Sequence, residues 1–371
     1  MSINEEDTSN IKVVKWIVDT RTLWQTSGEF KARDEVQELR KVAARALNLL
    51  PKEEQERVLK YYHIKDAKMS LASFLLKHLV ITKYLSVAWS KSFLSIDKYG
   101  KPYFFLDETQ LLNLDFNVSH QAGIVTLIAA ITNRNRAKVG TDIVCITERR
   151  LEDYKHIDIN GFFDWLSIFD EVLADTELID LEQGSVGLED LNIYIEGAEM
   201  TSEGNQVLSK CERRNQKVSL PILIHGAPSV IQVDSNMIID NKIRKFYALW
   251  CLRESYIKMT GEALSAPWLR DLEILQIKVP KQGKENINLQ AGETIDTFRI
   301  NFKGKESTRS HVTNVTMDLT SLGPNYLVAG AVSTANFQCI SEINMGEWQI
   351  LDIQKDVVEV AEENFNEANF F

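Results

Sequence analysis

Three short segments hold groups that could do chemistry: Phe116-Asn117-Val118-Ser119-His120, Val139-Gly140-Thr141-Asp142-Ile143 and Trp250-Cys251-Leu252-Arg253-Glu254-Ser255-Tyr256-Ile257-Lys258. Their hydroxyl, imidazole, carboxylate, guanidinium and ammonium groups are the types that move protons, hold cations and neutralise anions. Each segment also has an ordinary reading on its own. Ser119-His120 suits a capped turn, and Asp142 a turn former at a strand end. Glu254 and Lys258 stand four apart with the acid first, the spacing of a surface helix pair worth a few tenths of a kcal/mol. Asp142 and Glu254 lie more than a hundred residues apart, so only folding can bring them together.

The elements that must do so are read from periodicity. Ile11–Trp24 opens with alternating apolar residues and predicts a strand. Leu50-Pro51-Lys52-Glu53-Glu54 marks a helix start, with a helical stretch to about Tyr62. Asp66 can cap a second helix over Ala67–Tyr84, apolar at Leu71, Phe74, Leu75, Leu79 and Val80. Phe116–Ser119, Ile124–Ile131 and Lys138–Val144 read as short strands. A second set follows: a helix over Phe162–Leu173, a long helix over Lys242–Thr260 ended by Gly261, and strands at Leu272–Val279, Thr297–Phe302, Asn325–Ser333 and Trp348–Ile353. Both halves offer a helix followed by strands, which suggests a duplicated α+β unit, although no direct repeat is visible.

Between the halves, Glu177–Ser209 holds eight acids and no Lys or Arg, followed by a basic Arg213–Lys217. That composition predicts a solvated, partly mobile insertion, taken here as about 177–235. The acidic chain after Lys355 is expected to be a loosely held tail. The predicted division is thus 1–138, 139–345 with the insertion, and a tail over 346–371.

The chain has 371 residues, with 42 Lys and Arg against 53 Asp and Glu, a net charge of −11. Acidity argues against nucleic acid as the main partner. It leaves room for a local basic pocket, because the insertion carries most of the excess and the remainder is nearly neutral. Cys145, Cys211, Cys251 and Cys339 form no CxxC pair and fit no zinc or disulfide framework. The polar, acidic MSINEEDTSN start lacks the features of a secretory signal, and no apolar run reaches 18 residues. A cytoplasmic protein with free thiols and no membrane partner is the expectation.

Taken in order, the segments resemble the Sfp-type 4′-phosphopantetheinyl transferases, in particular the large fungal-like members. That family carries a (G)KP turn, an N-[IV]-S-H segment, a G-[IVT]-D-[IV] segment and a W-x-x-K-E-[AS]-x-x-K helix. Here these are Gly100-Lys101-Pro102, Asn117–His120, Gly140–Ile143 and Trp250–Lys258. The stretch Arg57–Ser70, with Tyr61-Tyr62-His63 and Asp66-Ala67, is similar to the family's N-terminal coenzyme A-binding helices. The resemblance spans about Ile11 to Ala335, apart from the insertion.

The resemblance implies an α+β fold of two pseudo-twofold-related halves, each a small antiparallel sheet packed on a long helix, with coenzyme A in the cleft between them. It implies a holo-[acyl-carrier-protein] synthase activity. The 4′-phosphopantetheine arm of coenzyme A passes to a serine of an apo acyl or peptidyl carrier domain, and adenosine 3′,5′-bisphosphate is released. Mg²⁺, a hard cation that takes oxygen ligands, would sit on Asp142 and Glu254, with Mn²⁺ as a competitor. Glu254 would also act as general base, and Lys258 would stabilise the leaving phosphate. Ser119 and His120 would contact the coenzyme A phosphates. Arg57, Lys68, Lys101, Pro102 and Arg253 complete the expected coenzyme A-binding set.

Two positions depart from the family pattern. Many bacterial members place a third carboxylate two residues after the aspartate, and here that residue is Val144. The first lysine of the helix motif is Arg253, a planar fork in place of a point charge. The larger members act as monomers, and fungal ones serve polyketide synthases, non-ribosomal peptide synthetases and the aminoadipate reductase of lysine biosynthesis. Two other readings compete: a non-catalytic module that binds coenzyme A or a carrier protein, and an Mg²⁺-dependent coenzyme A pyrophosphohydrolase.

Overall fold

A computed structural model describes residues 11–28, 32–97, 100–105, 112–133, 137–262, 266–284, 289–303, 314–334 and 343–367. Cys339 and the first ten residues, on which the expectations about thiols and targeting partly rest, lie outside the described residues. Cys145, Cys211 and Cys251 are free and buried. No helix among the described residues is long and apolar enough to cross a membrane.

The two halves follow the same path. In the first, strand β1 (Lys12–Asp19) leads to a long helix α1 (Ile64–Leu85), then strands β2 (Asn113–Gln121) and β3 (Ile124–Thr132). In the second, β4 (Ala137–Cys145) leads to helix α2 (Ser235–Thr260), then β5 (Val315–Leu322) and β6 (Tyr326–Thr334). Each half inserts its third strand antiparallel between the other two, giving β1-β3-β2 and β4-β6-β5. The α+β class and the duplication hold. Edge strands Gln349–Ile350 and Ala291–Ile295 extend the sheets beside β1 and β5.

Burial explains the strand compositions. β3 and β6 are apolar on both faces because each sheet is covered twice. One face packs on its long helix. The other meets the opposite sheet through Ile17, Ile124, Ile128, Val139, Ile143, Val328 and Val332. A buried ion pair crosses this seam, from Lys15 of β1 to Asp318 of β5.

Helix α2 is stopped at both ends by local chemistry. The Asp234 carboxylate accepts the Asn236 N–H at 2.9 Å, and Gly261 adopts a left-handed φ of 81° just past the last turn. The helix lies directly on β4 at Gly140. A Cβ there would stand 2.1 Å from the Ser255 carbonyl oxygen and 2.3 Å from the Met259 nitrogen. Glycine at 140 is therefore what lets the helix carrying Glu254 and Lys258 approach the strand carrying Asp142.

Two expectations are corrected. The acidic insertion is folded: helices Asp175–Gln183 and Ser202–Lys210 flank a short strand, Ala198–Met200, which pairs with the hairpin Lys217–Ile224/Ala227–Asp234. Leu181, Leu188, Leu191, Leu208, Leu220 and Ile222 enter the same core as α2, while most of the acids face water. Charge content described only its outer surface. The C-terminal tail is also held, because Gln349 and Ile350 pair parallel with Trp16 and Ile17. Val357, Val358 and Ala361 are buried in the first half's core. Some elements are shorter than expected: Phe162–Ser167, Leu272–Leu275 and Gln349–Ile350.

Candidate active site

β2 and β4 are edge strands of different sheets and run side by side, joined by side chains instead of a backbone ladder. Alternate residues of β2 reach the β4 amides. The Val139 N–H goes to Asp115 Oδ2 at 2.8 Å, the Thr141 N–H to Asn117 Oδ1 at 3.0 Å, and the Cys145 N–H to Gln121 Oε1 at 2.9 Å. Asn117 is thus a strand coupler, a role its place in the N-V-S-H segment did not disclose. Asp115 also takes the Lys101 ammonium at 2.7 Å, which places Lys101 at the seam between the halves.

Where this seam opens, the expected residues meet. Ser119 Oγ donates to Asp142 Oδ1 at 2.8 Å. Lys258 Nζ donates to Ser119 Oγ at 2.9 Å and to Asp142 Oδ1 at 2.5 Å. Asp142 is 6% exposed. Glu254 completes the group, and its Oε1 is buried without a hydrogen-bond partner among the described residues. Burial first, and then the neighbouring Asp142 carboxylate, push the Glu254 pKa up; Lys258 and Arg253 pull against this. His120 stands exposed at the mouth of the cleft. The surrounding protein and then the Lys258 ammonium hold its imidazole below the usual value.

The cleft has a volume of about 420 Å³ and continues past Glu254 along an aromatic wall of Phe169, Phe246, Tyr247 and Trp250. Sequence reasoning missed this wall, apart from noting Trp250 as a motif residue. Its signal was present: Tyr247, Trp250, Glu254 and Lys258 follow 3-4-4 spacing and share one face of α2. Asp153 was also missed. It accepts from Tyr247 Oη at 2.5 Å and from Trp165 Nε1 at 3.1 Å, fixing the wall from behind.

Arg253 is corrected. It points away from the cleft and is 1% exposed. Its Nη1 contacts both Glu177 carboxylate oxygens at 2.9 and 2.7 Å and the Leu272 carbonyl at 2.9 Å. Its Nη2 donates to the carbonyls of Val172 and Leu269. A guanidinium engaged in this way has no route to a phosphate, and one helix step of about 100° separates it from Glu254. The same contact removes Glu177 from the solvated insertion, since it is the buried partner. Arg57 lies exposed on helix Lys52–Leu59, Lys68 is buried on α1, and Pro102 opens strand Pro102–Phe104; none lines the cleft.

The donor set suits a hard cation, with two carboxylates from different elements and one of their oxygens orphaned. Val144 is apolar and buried, and no group of three or more His, Cys, Asp or Glu side chains placed to hold a metal occurs among the described residues. The Cys251 thiol beside Asp142 donates to the carbonyls of Asp142 and Leu327. Complete burial raises its pKa well above normal, so it is no nucleophile.

Residues 37–132 match the family model for the 4′-phosphopantetheinyl transferase N-terminal domain, and residues 234–316 match that of the 4′-phosphopantetheinyl transferase superfamily. A 4′-phosphopantetheinyl transferase of Aureobasidium melanogenum is 32% identical, the match covering 96% of this chain and 99% of the relative. One from Fusarium mangiferae is 31% identical over 94% of both chains, and one from Emericella nidulans 27% identical over 88% of this chain and 85% of its own. A duplicated fold whose halves meet at a paired carboxylate and lysine, together with relatives matched along almost their whole length, shows that this chain belongs to the 4′-phosphopantetheinyl transferase family.

Proposed function

We propose that the protein transfers the phosphopantetheine arm of coenzyme A to a serine of an apo acyl or peptidyl carrier domain, with Mg²⁺ held by Asp142 and Glu254. The observation that carries this reading is the orphaned, buried Glu254 Oε1 beside Asp142 and Lys258 in a cleft between the two halves. A buried carboxylate oxygen without a partner costs about 1–3 kcal/mol or more, a cost expected where an oxygen is kept for a ligand. When bound, the ion would neutralise charge on the pyrophosphate oxygens.

The chain's own groups supply the rest. Glu254 accepts the proton of the carrier serine, directly or through a water. The serine oxygen forms the new bond to the phosphorus attached to pantetheine. The pyrophosphate P–O bond breaks, and adenosine 3′,5′-bisphosphate leaves with the electron pair. Lys258, fixed by Ser119, stabilises the charge that grows on the leaving phosphate. His120 at the mouth faces the adenosine end of coenzyme A, and the aromatic wall takes the less polar end.

Mass spectrometry of a purified apo carrier incubated with coenzyme A and Mg²⁺ tests the reading. The carrier is expected to gain one phosphopantetheine arm, and Asp142→Ala and Glu254→Ala to abolish the gain while remaining folded. Cleaved coenzyme A with an unmodified carrier would establish a pyrophosphohydrolase, and no reaction a binding module. Normal turnover by either variant would remove the metal assignment.

A further inference from the structure

The side-chain ladder between β2 and β4 has a missing rung. The N–H groups of Val139, Thr141 and Cys145 are taken by Asp115, Asn117 and Gln121. Backbone donors along a strand alternate between its two neighbours, so the Ile143 N–H must point the same way as these three. The pairing with β6 agrees. Gly330, opposite Thr141, sends its N–H away from β4 to Asp318, so Val328, opposite Ile143, is likewise in a pair that exchanges no backbone hydrogen bonds with β4.

The β2 residue that should receive the Ile143 N–H is Ser119, midway between Asn117 and Gln121. Its hydroxyl is committed elsewhere, donating to Asp142 and accepting from Lys258. Among the described residues no acceptor side chain takes this amide. Ile143 as a whole is 2% exposed, and its side chain is taken up in the packing between the sheets. Its contribution to the wall of the cleft it lines is its backbone edge. Backbone donors are almost always satisfied in folded proteins. One left at the wall of a ligand cleft, next to an ammonium, is a donor for an anion.

We infer that the Ile143 amide is a substrate-binding donor that hydrogen-bonds a non-bridging oxygen of the coenzyme A pyrophosphate; this rests on the transferase reading above. The choice of Ser at 119, one atom too short to close the rung and already engaged, keeps the donor open. An amide held by a strand has no rotamer to order when the ligand arrives, so its contribution is preorganised.

The test uses the full chain labelled with ¹⁵N-isoleucine, with the Ile143 resonance identified by its disappearance in Ile143→Val. Coenzyme A with Mg²⁺ is titrated in, and pantetheine serves as the phosphate-free control; binding is followed by calorimetry on the same samples. With coenzyme A the Ile143 amide proton is expected to move downfield and to exchange with solvent about tenfold more slowly or less, as one hydrogen bond requires. Pantetheine should change neither. An Ile143 amide that stays unmoved and unprotected while calorimetry shows coenzyme A bound would overturn this inference and leave the transferase reading standing. Failure of coenzyme A to bind at all would overturn that reading and this inference with it.

Discussion

Arg253 and Glu254 are adjacent on α2, and each belongs to a buried cluster of opposite charges, yet the two clusters are built to different rules. Around Arg253 the acid is saturated: Glu177 takes Nη1 through both carboxylate oxygens and also receives the Ile274 and Ala174 N–H groups, while the Leu272, Val172 and Leu269 carbonyls take Nη1 and Nη2 and only the Arg253 Nε–H is left without a partner among the described residues. Around Glu254 the contacts are left incomplete, with one oxygen orphaned and Lys258 turned to Asp142. Saturation ties the insertion to the core. Incompletion, at a cost in stability, leaves chemistry for a ligand to finish. Charge alone does not separate a structural ion pair from a site; a carboxylate oxygen left unmet on the wall of a cleft does.

The largest effect should come from breaking the open cluster. Glu254→Gln is expected to lower transfer by about 10³-fold or more while the melting temperature does not fall, because the change removes an uncompensated buried charge. A variant that loses stability with its activity would place Glu254 among the structural groups. For the closed cluster the expectation is reversed. Arg253→Met should cost about 3–5 kcal/mol in urea unfolding, since Glu177 is left buried and unpaired, and the folded fraction should keep near-normal kcat. The double variant Arg253→Met/Glu177→Leu should recover much of that loss, and a large fall in kcat with stability intact would return Arg253 to the phosphate site.

Lys258→Ala should lower kcat by about 10²-fold with a smaller change in the KM for coenzyme A; a loss confined to KM would make it a binding group only. The smallest effect concerns His120. Its pKa is held below the usual 6.5, so the unfolded chain binds more protons than the folded one as pH falls through 6.5. The melting temperature of wild type relative to His120→Gln should therefore be constant above that pH and decline below it. A difference that stays flat across the range would mean the folded protein does not depress this imidazole.

Much of this was readable in the residues. The four ordered motifs named the family, and Ser119, His120, Asp142, Glu254 and Lys258 do converge. Arg253 was misassigned because a motif position was read without its helix face. Leu249, Tyr256 and Ile257, one turn to either side, are apolar and put it on the buried stripe. The insertion was misjudged because net charge was read without its leucines. The coupling role of Asn117 and Gln121 was beyond sequence reasoning altogether. It depends on two edge strands from different sheets lying side by side, a tertiary fact that no local pattern carries.

The parallel pairing of Gln349–Ile350 with β1 has a consequence for how the molecule is made. The first half leaves the ribosome before the second, but its sheet lacks an edge and its core lacks Val357, Val358 and Ala361 until the second half has been made as well. It cannot mature as an independent unit while the second half is being translated. Strand β1 and the segment from Gln349 on must find each other across both halves, a long-range contact that slows folding. Any nascent or truncated form that stops before residue 349 carries an open sheet edge and an uncovered apolar face, the kind of surface chaperones hold.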